Sequence, residues 1–259
     1  MQLCNLASGS RGNCTWVQSG ASAILIDCGL GIREVLARIQ EMQLDCKRLQ
    51  GILVTHEHMD HIKGVDALSR LLRVPVYIHE KSWQACRTPL RPSKRADSSV
   101  EIPFSIGDLE IHPFRLPHDA AYHTGYRITD GKRTAVIATD LGYVSDATRE
   151  KLHSADLVML ESNHDLEMLR RGSYPYPLKQ RILSNVGHLS NDACADEVAG
   201  IVEAGAKTIV LSHLSQDNNT PEIAFERACT ALSDMHAQEG KDVIIEVASQ
   251  FRPTRCIEV

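Results

Sequence analysis

The stretch GILVTHEHMDH at 51–61 constrains this chain more than any other, because an apolar run that reads as a strand leads straight into three histidines and an aspartate. In extended backbone His56 and His58, two residues apart, point to the same side, and Asp60 and His61 fall where the chain turns into the next helix. A solvated polar loop would explain any two of these residues. Four of them directly behind a buried strand need a partner, and a divalent cation satisfies imidazole and carboxylate together.

The rest of the chain alternates strand and helix in both halves. Apolar runs at 14–18, 22–27, 51–55 and 75–79 read as strands, and REVLARIQEM and VDALSRLLR between them carry helical spacing. From about 100 to 140 strands dominate, with LEIHPFRL, GYRIT and TAVIAT. Alternation then resumes with DLVMLE, a helix over 191–204, TIVLS, a helix begun by Thr220 and Pro221, and DVIIEV. No repeat or linker divides the chain, so a single α/β domain over 1–259 is expected. Two stretches read as loops, RTPLRPSKRADSS at 87–99 and LRRGSYPYPLKQR at 169–181; both are basic.

The 28 basic and 33 acidic residues leave a net charge of −5, so no global field draws the chain to nucleic acid or an anionic membrane. The N-terminus lacks the basic start and apolar run of a secretory signal, and no apolar stretch has the length of a membrane span. A cytoplasmic protein without membrane contact is expected. The 8 cysteines form no CxxC pair, which argues against a zinc knuckle or a disulfide framework.

Two further candidates stand at strand ends: His118 follows the strand 109–116, and Asp140 follows TAVIAT. Each alone reads as a turn or cap group. Carboxyl ends of strands gather active-site residues in open α/β sheets, so together with His56, His58, Asp60 and His61 they read as metal ligands.

With Asp27 upstream and His118, Asp140 and His213 downstream, THEHMDH resembles the metallo-β-lactamase fold over essentially the full chain. The resemblance implies a four-layer αββα sandwich of two mixed β-sheets and two metal ions. It assigns His56, His58 and His118 to the first ion, Asp60, His61 and His213 to the second, and Asp140 to a bridge. LASGSRGNCTWV, LIDCGLG, LESNHD, VGHLSND and LSHLSQDNN further resemble the YycJ (WalJ) branch, near the nuclease and phosphodiesterase members of the superfamily. That branch implies a hydrolase, possible substrates being DNA degraded 5′ to 3′, other nucleic acids or another phosphodiester. A lactam or thioester hydrolase and a non-catalytic metal-dependent module are the alternatives. His58 stands where flavodiiron proteins carry Glu, which speaks against redox iron.

Two divalent ions about 3.5–4 Å apart share a water and lower its pKa toward neutrality. Three imidazoles favour zinc at the first position, and the second accepts zinc or manganese. His213 directly follows TIVLS and supplies the imidazole the second ion otherwise lacks. His188, in a second HLS triplet, precedes the helix caps Ser190 and Asn191, a place suited to meeting a phosphate and protonating a leaving oxygen. Glu161 is expected to hold the His188 tautomer, or else to be a strand-end acid bound to backbone. Asp60, Glu161 and His188 are thus the candidate catalytic residues. Asp27 either orients the histidine loop or caps its own turn. Ser8, Ser10 and Asn13 either donate to a substrate phosphate or shape the glycine turn. The basic loops, with Tyr174 and Tyr176, would track a polynucleotide or form solvated surface. His123 and His164 receive no role.

Overall fold

Short aliphatic runs become strands wherever both faces can be covered. The computed structural model describes residues 1–98 and 102–259. Among them run the strands β1 (Gln2–Ala7), β2 (Cys14–Ser19), β3 (Ser22–Ile26), β4 (Leu49–Leu53), β5 (Pro75–Ile78), β6 (Lys94–Asp97), β7 (Phe104–Ile106), β8 (Leu109–Leu116), β9 (His123–Thr129), β10 (Thr134–Ala138), β11 (Leu157–Glu161), β12 (Thr208–Ser212), β13 (Ile244–Val247) and β14 (Ile257–Glu258). They form two mixed sheets flanked by helices. Two compact units are built from them: Met1–Arg115 with Ala120–Lys132 and Ser249–Glu258, and Leu116–Asp119 with Arg133–Ala248 and Val259.

The first unit holds one whole sheet, ordered β14-β1-β2-β3-β4-β5-β6, antiparallel from β14 to β3 and parallel from β3 to β6. The helices Ile32–Glu41 and Val65–Leu72 lay Val35, Ile39, Val65 and Leu68 into a core with Trp16, Leu25, Ile52 and Ile78. Each such aliphatic side chain contributes about 1.5–3 kcal/mol on burial. Parallel pairing sets Ile26 opposite Leu53. Asp27, the next residue after β3, is thereby brought to Thr55, just past β4.

Gly29 lies where that strand end meets the histidine loop. A Cβ there would stand 1.6 Å from the Asp60 carbonyl oxygen and 2.7 Å from the Asn13 nitrogen, both backbone atoms that no rotamer change can move. Gly29→Ala is therefore expected to destabilise the protein by about 1–3 kcal/mol or more. A lowered urea midpoint at unchanged slope would register this; an unchanged midpoint would show that the loop yields freely.

In the second unit β10, β11, β12 and β13 are all parallel and in chain order. Every residue of β11 and β12 is buried. Connecting helices start on side-chain caps: Ser145, Ser190 and Thr220 accept from the N–H groups of Thr148, Ala193 and Ile223. Because the strands are parallel, their carboxyl ends share one edge, and Asp140, Glu161 and His213 follow or end β10, β11 and β12 there.

Both expected loops contain regular structure. Residues 169–181 span parts of two helices, Leu166–Arg171 and Tyr176–Ile182, with Pro175 and Pro177 at the start of the second. Lys179 Nζ donates to the carbonyls of Arg170 and Gly172, and Arg181 pairs with Asp119, so these cations serve the fold. Within 87–99, Lys94–Asp97 is a strand paired parallel to β5, and Arg95 pairs with Glu80 and lies over the Trp83 ring. Ser99 lies outside the described residues. No helix among those residues is long and apolar enough to cross a membrane.

Candidate metal centre

In the first unit the histidine loop is held from below by Asp27. Its Oδ1 accepts the Thr55 N–H at 2.8 Å, and Oδ2 accepts from the Thr55 hydroxyl and from His61 Nδ1, each at 2.8 Å. The Thr55 hydroxyl also lies 3.0 Å from His56 Nδ1. These contacts occupy the Nδ1 side of both rings, so Nε2 is the atom each ring could offer to a metal ion. His56 Nε2 stands 2.9 Å from His58 Nδ1, and the His56 ring packs against His61 and His123. Asp60 Oδ2 lies 3.6 Å from His61 Nε2. Burial pushes the Asp27 carboxyl up, and His61 and Thr55 only partly oppose this.

The orienting role expected for Asp27 has a direct test. In Asp27→Asn the amide oxygen can keep the Thr55 N–H, but the NH₂ then faces His61 Nδ1, which must accept and move its proton to Nε2. Zinc binding is expected to weaken about 10–100-fold in a chelator-competition titration. Wild-type affinity would reduce Asp27 to a turn cap.

In the second unit Asp140, Glu161, His188 and His213 each place a donor atom within 4.8 Å of the others. Glu161, fully buried, is the hub. Its Oε1 lies 2.8 Å from His188 Nδ1 and 2.8 Å from His213 Nδ1, and its Oε2 accepts from Leu141 N and Leu189 N. Asp140 Oδ1 is 3.2 Å from His213 Nδ1, and Asn163 Nδ2 donates to the His213 carbonyl. His118 Nδ1 lies 3.2 Å from the Gly187 carbonyl oxygen, and its ring stands beside that of His188. Burial would raise the Glu161 carboxyl, but His188 and His213 outweigh it and hold it well below the usual range. Burial likewise opposes charge on His188, and Glu161 overcomes it, so the His188 imidazolium is favoured. At His118 burial outweighs the nearby carboxylates Asp140 and Asp119, and its pKa is shifted down.

Three of these residues are in left-handed backbone: Asp27 at φ 58°, Asp140 at 57° and His213 at 55°. That conformation costs a residue with a Cβ roughly 1–2 kcal/mol, and such strain concentrates at functional sites. Thr55 and Asn163, which contact His56, His61 and His213, carry no local sequence signal that would have singled them out. Of the expected phosphate donors, Ser8 and Asn13 are buried and Ser10 is exposed. His164 is buried, and burial lowers its pKa to about 4, so it stays neutral.

A donor set of imidazoles and carboxylates this close together fits divalent metal ions. Such clusters at strand ends of two mixed sheets define a class of metal-dependent hydrolases, and the chain belongs to the β-lactamase superfamily, whose domain matches residues 22–214. Within it the chain is 40% identical over 253 residues to exodeoxyribonuclease YycJ of Bacillus anthracis, covering 96% of each. It is 36% identical over 260 residues to exodeoxyribonuclease WalJ of Streptococcus pneumoniae, covering 98% of this chain and 96% of that one. Among solved structures, the metallo-β-lactamase fold protein YhfI from Bacillus subtilis matches with a TM-score of 0.69 at 20% identity, over 98% of this chain and 99% of its own. The expected fold and branch are both borne out.

Proposed function

We propose that this protein is a dinuclear metal-dependent phosphodiesterase that degrades DNA as an exonuclease, in the 5′ to 3′ direction. The observation that carries the chemistry is the buried Glu161 carboxylate shared by His188 and His213. The near full-length likeness to two exodeoxyribonucleases supports DNA as substrate. His56, His58 and His118 are assigned to one ion, Asp60, His61 and His213 to the other, and Asp140 to both. Zinc suits the imidazole-rich first position, and the second accepts zinc or manganese.

Bound there, two divalent ions lower the pKa of a water and offset charge developing on phosphoryl oxygens. The chain's own groups do the rest. Asp27 and Thr55 fix the rings of the histidine loop, and Glu161 keeps the proton of His188 on Nδ1. Nε2 of the His188 imidazolium is then the atom that hands a proton to the leaving oxygen. Free thiols at all eight cysteines suit the cytoplasm.

The test is a substrate panel for zinc- or manganese-loaded protein: bis-p-nitrophenyl phosphate, single- and double-stranded DNA, RNA and a chromogenic cephalosporin. Turnover of DNA and of the diester is expected. Cephalosporin turnover far above diester turnover would instead identify a lactam hydrolase, and inactivity on every substrate at full metal occupancy would identify a non-catalytic module.

A further inference from the structure

Among the described residues, the exposed side chains of Tyr143, Leu183 and Val186 belong to two segments of the second unit that border His118 and His188. Both segments are tied to that cluster by backbone. The Leu141 N–H donates to Glu161 Oε2 at 2.9 Å and the Gly142 N–H to the Pro117 carbonyl at 3.0 Å. The Asp119 N–H donates to the Val186 carbonyl at 3.1 Å, and the His188 N–H to that of Ile182 at 3.0 Å.

Gly142 presses the two segments together. A Cβ there would stand 2.3 Å from the Asn185 carbonyl carbon and 2.7 Å from the Ser184 carbonyl oxygen, so only a glycine allows this approach. Tyr143 follows it with 45% of its surface exposed, and Val186 follows Asn185 with 44% exposed. Three residues of chain span at most about 11 Å, so the Tyr143 backbone lies within that distance of Asp140. One exposed apolar side chain is ordinary. An aromatic ring fixed this close to a buried cluster of imidazoles and carboxylates is a face on which a second flat ring can stack.

We propose that Tyr143 stacks on a nucleobase of the DNA strand beside the phosphodiester being cleaved, with Leu183 and Val186 as the rest of an apolar rim. The inference rests on the nuclease reading and adds a binding residue to it. Every base offers a π face, so such a contact tolerates any sequence, which suits an enzyme that must accept each nucleotide of a strand in turn. The Asp119 carboxylate at the same edge is matched by Arg181 at 2.5 Å, which reduces the repulsion an approaching strand would meet.

Steady-state kinetics of the full, metal-loaded chain test this on single-stranded DNA, either intact or abasic at one of the three 5′-terminal positions. Tyr143→Ala is expected to raise KM about tenfold on intact DNA, the effect of one stacked base, and Tyr143→Phe to keep the wild-type value. On the strand that is abasic at the stacked position, wild type should show the same rise and Tyr143→Ala no further one. A wild-type KM in Tyr143→Ala overturns the proposal. So does a rise in that variant that is equal on intact and on every abasic strand, the mark of a general defect in the fold. A wild-type dimer that Tyr143→Ala dissolves in sedimentation, with KM unaltered, overturns it in favour of a second copy of the chain on this rim. In those three cases DNA is still degraded and the nuclease reading stands; intact DNA with two metal equivalents bound overturns both.

Discussion

Glu161→Gln is expected to abolish turnover and to loosen the metal at His213 in one step. Both oxygens of Glu161 are committed, one to the N–H groups of Leu141 and Leu189 and the other to Nδ1 of both His188 and His213. An amide has a single acceptor oxygen. If that oxygen keeps the two backbone donors, its NH₂ confronts two imidazole N–H groups, and each ring must move its proton to Nε2. His213 then has no lone pair to offer there, and His188 loses the charge that Glu161 favours. Metal affinity should fall about 10–100-fold, and turnover by about 10²–10⁴-fold. His188→Ala should lower turnover comparably while keeping both metals, because His213 still has its carboxylate; His213→Ala should lose the second ion. Chelator competition and initial rates on a DNA substrate separate the three. Wild-type metal affinity in Glu161→Gln would make its contact with His213 incidental.

Metal loading is also expected to be a large part of stability. His56, His61, Asp27, Asp140, Glu161 and His213 are all buried, an arrangement of ionisable groups that is costly without a cation. Zinc at a thousand times its dissociation constant should add about 4 kcal/mol per site. For a chain of this size each kcal/mol raises the melting temperature by roughly 2–4 °C. Thermal melts with and without zinc measure the shift, and excess chelator should reverse it. Superimposable melts would contradict tight binding by the native state.

Much of this was legible in the sequence wherever a signal is local. LEIHPFRL and TIVLS coincide with β8 and β12 because a short apolar run between turn residues has one stable form. The helix after Thr220 and Pro221 followed from capping chemistry, and Ser190 caps its helix as expected. What failed was structure imposed by neighbours. Lys94–Asp97 has no strand pattern of its own and pairs because β5 offers a parallel edge. Residues 169–181 read as a loop on account of their prolines, yet Pro175 and Pro177 sit at a helix start, where proline fits. In the site, the imidazole and carboxylate residues that cluster and the Glu161–His188 contact were readable from spacing and family likeness. The second bond from Glu161 to His213 was not, since it depends on β11 and β12 lying in register, with Glu161 opposite Ser212. The left-handed backbone at Asp27, Asp140 and His213 was equally hidden, for none is a glycine.

The central claim, metal-dependent exonucleolytic hydrolysis of DNA, is tested most directly by a time course on single-stranded DNA labelled at its 5′ end. The metal-loaded protein should release the label as a mononucleotide before any internal fragment appears; chelator should stop release, and zinc or manganese should restore it. Intact DNA after incubation with protein carrying two metal equivalents would contradict the account.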